Sequence, residues 1–229
     1  MTGKPAGRKN KEEEYVMTLL KDMTLDTFSK KLSANTAAPG GGSAAALSGA
    51  LGAALVSMVC RLTIGKKGYE EHEDDLKSVL SQSEELRVKL VNAVDVDASA
   101  YGMVMDAFSL PKQTEEEKEV RKNAIQKAFM EACESPRKTS LWCLEVLRLC
   151  AFISGKVNVN AVSDLGVGAT QTLAGLEGAA MNVLINLPSI KDEDYTDEVR
   201  EEVEGTQDEG RILKSGIMRD ILPYIGGAD

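Results

Sequence analysis

A chain of 229 residues with 43% hydrophobic and 28% charged residues has the balance of a soluble globular domain with a full core. Its formal net charge of -9 argues against a surface built to neutralise nucleic-acid phosphates, though a local basic pocket remains allowed. Aromatics make up only 4%, so packing falls to Ala, Leu, Val and Met, a set that suits helices against helices.

Cys60, Cys133, Cys143 and Cys150 form no C-x-x-C pair and sit in apolar helical patterns, as reduced core thiols of a cytoplasmic protein would. His72 is the one histidine, in the charged run EEHEDD, so no zinc set and no His-based nucleophile scheme is expected. Neither metal nor cofactor is called for. The opening MTGKPAGRKNKEEE lacks the apolar core of a secretory signal. It reads as a mobile charged tail, residues 1–12, ahead of a single helical domain over 13–229.

Val16, Leu19, Leu20 and Met23 suggest a short helix, and Thr24 caps another with Leu25, Phe28 and Leu32 on one face. A loop from Ser33 to Gly42 follows. The next stretch, PGGGSAAALSGALGAALVSMVCRLTIGKKGY from Pro39 to Tyr69, is the most informative in the chain. Gly40, Gly41 and Gly42 loosen the backbone before Ser43, which is placed to cap a helix running to about Thr63. Such an N-terminus offers free N–H groups to a carboxylate, phosphate or carbonyl oxygen. Leu47, Leu51, Leu55, Met58 and Leu62 make one apolar stripe, and Ala45, Gly49 and Ala53 a small face open to close approach. Lys66 and Lys67 put two cations at the far end. The run from Ser43 to Cys60 has nearly the length of a membrane span, but its Ala, Gly and Ser content favours a core helix.

The longest pattern runs from Leu76 to Phe108, roughly 50 Å of helix at the standard rise. Asp97 stands on its apolar stripe between Val94 and Tyr101, where a carboxylate must be paired, hydrogen-bonded or functional. Asp95 and Asp106 fall on other faces and read as solvated. Leu110-Pro111 breaks the helix, and Thr114 with Glu117 forms a capping box for the next one. That helix is expected to end at Pro136, with another after it. Lys112, fixed beside the proline turn, has a better claim on a ligand than Arg121.

NVNAVSDLGVGATQTLAGLEGAAMNVLINLP is the second informative stretch. Ser163 or Asp164 caps a helix whose glycines again permit close approach. Asn182 and Asn186 lie one turn apart in an apolar end and need partners, either across helices or on a ligand. The remainder, Lys191 to Asp229, reads as weakly amphipathic cover. No alternating strand pattern or nucleotide-binding glycine motif occurs, so the fold class is all-α, a multihelical bundle.

Four blocks in order, PGGGS with its helix, LTIGKK, DASAYGMVMDAFSLPK with EEEKEVR, and NAVSDLGVG through NVLINL, resemble the cyclodeaminase/cyclohydrolase family of tetrahydrofolate enzymes. They span roughly residues 24–190. The resemblance implies an all-helical intertwined homodimer that binds a tetrahydrofolate derivative in a cleft near its interface. The family's formiminotransferase domain is not in this sequence, which favours its free-standing methenyltetrahydrofolate cyclohydrolases. On this footing Asp97 is the expected base, with Lys66 or Lys67 as proton donor or electrostatic partner. The loop of Pro39, Gly40, Gly41, Gly42 and Ser43, that of Asn160, Ser163 and Asp164, and Asn186 are expected to hold the pterin or p-aminobenzoyl-glutamate. Lys112 is a candidate for the glutamate carboxylates. Cyclodeamination of the formimino compound, and folate binding without catalysis, are the competing expectations.

Overall fold

The computed structural model describes residues 19–225, and all regular structure among them is helical. The expected tail, residues 1–12, lies outside the described residues, as does Val16. After a short 3-10 turn at Leu20–Asp22 come six helices: α1 (Leu25–Leu32), α2 (Gly41–Thr63), α3 (Glu73–Ser109), α4 (Glu115–Ile153), α5 (Val162–Leu184) and α6 (Glu193–Ile221).

α2 and α5 run antiparallel through the centre with their backbones in contact. A β-carbon on Gly175 would come 2.7 Å from the amide nitrogen of Gly49 and 2.8 Å from the carbonyl of Ala45, and one on Gly168 would touch Leu55. The small face of α2 therefore serves the close approach expected of it, and helix-interior glycines are retained where any side chain would force the pair apart. α3 lies along α2, α4 packs behind both central helices, and α6 crosses α4 and α5. One core joins five of these helices through Val56, Val59, Leu76, Leu90, Leu147, Leu165, Leu176 and Ile217.

Several local expectations need correction. α2 begins at Gly41 with Gly40 as its cap, so Ser43 sits inside the first turn and caps nothing. Of the stripe Leu47, Leu51, Leu55, Met58 and Leu62, Leu47 packs against the cluster of Phe28, Ala46, Ala93 and Val94, and the others do not face the core. Ala46, Ala50, Ala53, Val56 and Val59 do, while Leu51 and Leu62 are 47% and 43% exposed. The capping box of Thr114 and Glu117 is present. Pro136, however, does not stop α4, which runs unbroken for 39 residues. The proline denies an N–H to the carbonyl of Ala132, yet burial of Cys133, Ser135, Thr139 and Cys143 around it holds the helix together. Neither Ser163 nor Asp164 caps α5. The cap is Ala161, which places both in the first turn. Asp95 is not solvated: its Oδ1 accepts the backbone N–H of Leu20 at 2.6 Å and pins the chain ahead of α1, and its Oδ2 is buried without a partner among the described residues.

Candidate active site

The first turn of α2 lies against the middle of α3, and there the fold half-buries Asp97. Gly42 has no side chain, and the space a β-carbon would need is filled by the carboxylate of Asp97. Ser43 is fully buried. Its hydroxyl lies 3.1 Å from Asp97 Oδ2 and 2.9 Å from the carbonyl oxygen of Val94, so one proton faces two acceptors. Burial pushes the Asp97 carboxyl above the usual carboxylate range, while the hydroxyl and backbone N–H of Ser43 pull it back. The result is a base with a raised proton affinity, held at the positive end of a helix.

Asp97 opens onto a cavity of about 420 Å³, bounded by Gly40–Gly42 on one side and by Asn182 and Asn186 of α5 on another. The two asparagines do not bridge helices. Asn182 donates to the carbonyl of Gly178 and Asn186 to that of Asn182, each at 2.8 Å, which leaves their amide oxygens for other donors. Tyr101, Val104, Met105 and Phe108 extend the wall along α3, and Phe129 closes it edge-on to Phe108 with ring centroids 6.1 Å apart. The cavity thus has a polar head at Asp97 and an aromatic flank. Of the expected ligand-holding residues, Gly40, Gly41, Gly42 and Asn186 line it. Pro39 is buried beneath the loop, and Ser43 acts on Asp97 rather than on the cavity. Phe129 and Ala132, from a different helix, escape sequence reasoning because nothing in their local pattern separates them from ordinary core.

The rest of the expected site is elsewhere. Lys66 and Lys67 occupy the exposed turn after α2, between Gly65 and Gly68 at φ 75 and 92°. Some twenty helical residues separate them from Asp97, about 30 Å at the α-helical rise. That turn is clasped to the chain entering α5: Asn158 N donates to Thr63 Oγ1 at 3.0 Å, Asn158 Nδ2 to the carbonyl of Leu62 at 3.3 Å, and Val159 N to the Tyr69 hydroxyl at 3.1 Å. Asn160 and Ser163 are exposed beside it, with Asp164 half-buried. The expected site residues therefore fall into two groups, Asp97 with Gly40–Gly42 at one end of the α2/α5 pair and the lysines with Asn160, Ser163 and Asp164 at the other. Lys112 belongs to neither and lines a separate basic cavity.

Comparison with known proteins decides the family. The model of the formiminotransferase-cyclodeaminase family matches residues 24–205. The chain belongs to this family. It is 44% identical to a methenyltetrahydrofolate cyclohydrolase of Methylorubrum extorquens over 86% of its own length and 95% of that protein's. With the formimidoyltransferase-cyclodeaminase of Rattus norvegicus it shares 34% identity over 84% of its length, but spans only 36% of that larger protein. A crystal structure of formiminotetrahydrofolate cyclodeaminase from Thermotoga maritima superposes with a TM-score of 0.81 at 27% identity, covering 90% of this chain and 99% of that one.

Proposed function

We propose that the chain is a methenyltetrahydrofolate cyclohydrolase, interconverting 5,10-methenyltetrahydrofolate and 10-formyltetrahydrofolate. The observation that carries this reading is Asp97: a carboxylate raised by burial, braced by Ser43, at the head of a cavity with an aromatic flank. The bridging carbon of the substrate is an amidinium and already electrophilic. Asp97 takes a proton from a water as its oxygen bonds to that carbon, giving a tetrahedral adduct. The C–N5 bond then breaks, N5 leaves with a proton, and loss of the hydroxyl proton gives the formyl group on N10. One proton is released overall. The likeness to the Methylorubrum extorquens cyclohydrolase along nearly its whole length supports assigning that reaction to this chain.

The proton for N5 comes, in this reading, from Lys66 or Lys67 of a second copy. The outer face of the α2/α5 pair is apolar and uncovered, with Leu51, Leu62, Val167 and Met181 between 43% and 63% exposed. Exposed apolar side chains on two adjoining helices suit an interface. A two-fold axis perpendicular to α2 sets one α2 antiparallel to its mate. It then carries the Lys66–Lys67 turn of each copy to the Gly40–Ser43 end of the other, and joins the two half-sites. The four buried, unpaired cysteines are in keeping with a cytoplasmic setting.

Loss of the methenyl absorbance on adding purified protein tests the reaction. Turnover well above the uncatalysed rate is expected, and absence of any rate increase would overturn the proposal. The formiminotetrahydrofolate cyclodeaminase structure from Thermotoga maritima motivates a second reading, closure of the formimino compound with loss of ammonia in the same pocket. Ammonia release from that substrate, with no hydrolysis of the methenyl compound, would favour it.

A further inference from the structure

Around the flank of α3 from the Asp97 cavity, a second hollow of about 550 Å³ lies in the groove between α3 and α4. Its apolar walls are Ala93, Val96, Met103 and Trp142, the chain's only tryptophan. Small-molecule sites are built in this way, from apolar walls and a few placed polar groups. None of the residues assigned to the folate site except Ala100, which is 5% exposed and stands in both walls, belongs to it.

The polar group that the fold leaves unmatched is the Ser135 hydroxyl. Ser135 is 8% exposed, lines the groove, and has its Oγ buried with no hydrogen-bond partner among the described residues. Neighbouring hydroxyls on α4 are satisfied by the helix itself. Thr139 donates to the carbonyl of Ser135 at 3.0 Å, and Ser140 to that of Arg137 at 2.7 Å. A buried hydroxyl left alone is unfavourable, so its place in a cavity wall points to a ligand atom that meets it.

The charges around it select the ligand. Ser135, Lys138 and Trp142 follow one another at helical spacing on one face of α4. Lys138 lies 3.9 Å from Glu134, but that glutamate is held more closely by Arg137, at 3.0 Å. Glu131 faces Lys127 at 3.7 Å on the same helix. Lys89, on the α3 lip, has no side-chain partner among the described residues. The groove therefore offers an unmet hydroxyl and two weakly committed cations beside an indole ring.

We infer that the groove binds a small planar aromatic carboxylate, and that the bound ring steadies the Asp97 stretch of α3. The carboxylate accepts from Ser135 Oγ and Lys138, and the ring lies against Trp142 and Val96. α3 has hollows on two of its faces between Val96 and Val104, so little packing restrains it there. Gly102 is in the same stretch, and a β-carbon on it would meet nothing within 4 Å, so no neighbour requires the glycine. It loosens the helix where the hollows already flank it. A ligand that fills one hollow removes room for that segment to move.

The test uses cinnamate and the full chain, and depends on no assay of the folate reaction. Cinnamate is expected to bind by calorimetry and to change Trp142 fluorescence along the same curve. Ser135→Ala and Lys138→Gln are each expected to weaken binding about tenfold. Because the Ser135 hydroxyl makes no bond within the chain, Ser135→Ala is expected to keep or raise the melting temperature of the ligand-free protein. A lowered one would assign the hydroxyl to the core and overturn the proposal. Amide exchange over residues 97–104 is expected to slow several-fold when cinnamate is bound. No binding, binding without a tryptophan response, equal affinity in both variants, or unchanged exchange would each overturn it.

Discussion

The carboxylate of Asp97 fills the place where a side chain on Gly42 would begin. The two residues come from different helices and are 55 positions apart, 97 less 42. Gly42→Ala cannot be accommodated unless Asp97 leaves the cavity head. The variant is expected to lose about 1–3 kcal/mol of stability by denaturant unfolding and at least roughly tenfold in kcat. Gly205→Ala, on α6, where a new β-carbon meets nothing within 4 Å, is the control and is expected to leave both nearly unchanged.

Asp97→Asn separates stability from activity. If Asp97 is the general base proposed above, its removal is expected to lower kcat by about 10²–10⁴-fold. Its effect on stability follows from the raised pKa. The folded chain keeps the Asp97 proton to a higher pH than the unfolded chain, so stability falls as pH climbs from the ordinary carboxylate pKa to the raised one. The neutral asparagine escapes that loss. Its melting temperature at pH 7 is expected to equal or exceed that of the parent, whereas a large drop would mean that the charge is structural.

Ser43 tunes the same group. Its hydroxyl and backbone N–H hold the raised Asp97 pKa down, so Ser43→Ala is expected to move the acid limb of the pH–rate profile upward. A profile that keeps its acid limb in place would assign that limb to another residue.

Two inactive variants should repair one another if the half-sites meet across a two-fold axis. Asp97→Asn and Lys66→Gln/Lys67→Gln, mixed and allowed to exchange subunits, are expected to recover about a quarter of parental activity. Half the dimers are then hybrids, and one site in each is whole. No recovery under verified exchange would place both half-site groups in one chain. Leu51→Glu, on the uncovered face, is expected to give monomers by light scattering and to abolish turnover with them.

The cysteines give an independent check on the core. Burial raises Cys60 and Cys133 to about 11, and Cys143 and Cys150 to about 12. At pH 8 the native protein is expected to resist alkylation at all four, and the unfolded chain to react at each.

Features set by neighbours in the chain are legible in the sequence itself. The capping box at Thr114 and Glu117 and the turn at Pro111 depend on residues a few positions apart, and both are present. Asp97 is legible for a related reason, since a carboxylate on an apolar stripe violates the pattern around it. Ser43 defeats the local rule because its hydroxyl is captured by α3, 51 residues on at Val94, and no capping preference anticipates that competitor. Pro136 defeats its rule in the same way: burial of the face formed by Cys133, Ser135, Pro136, Thr139 and Ser140 outweighs one missing hydrogen bond. The distance between Asp97 and the two lysines is readable from helix length alone, whereas the meeting of the two ends proposed above would depend on a second copy of the chain.

The glycine contact between α2 and α5 has a bearing on how far the two ends of that pair can drift. Where helices touch through side chains, rotamer changes let them slide, but main chain on main chain leaves almost no slack. The lateral spacing of the two helices is consequently a gauge cut from peptide geometry. Widening it would need new bulk at Gly49, Gly52, Gly168 or Gly175, so sequence drift elsewhere in the molecule can proceed without disturbing the calibration.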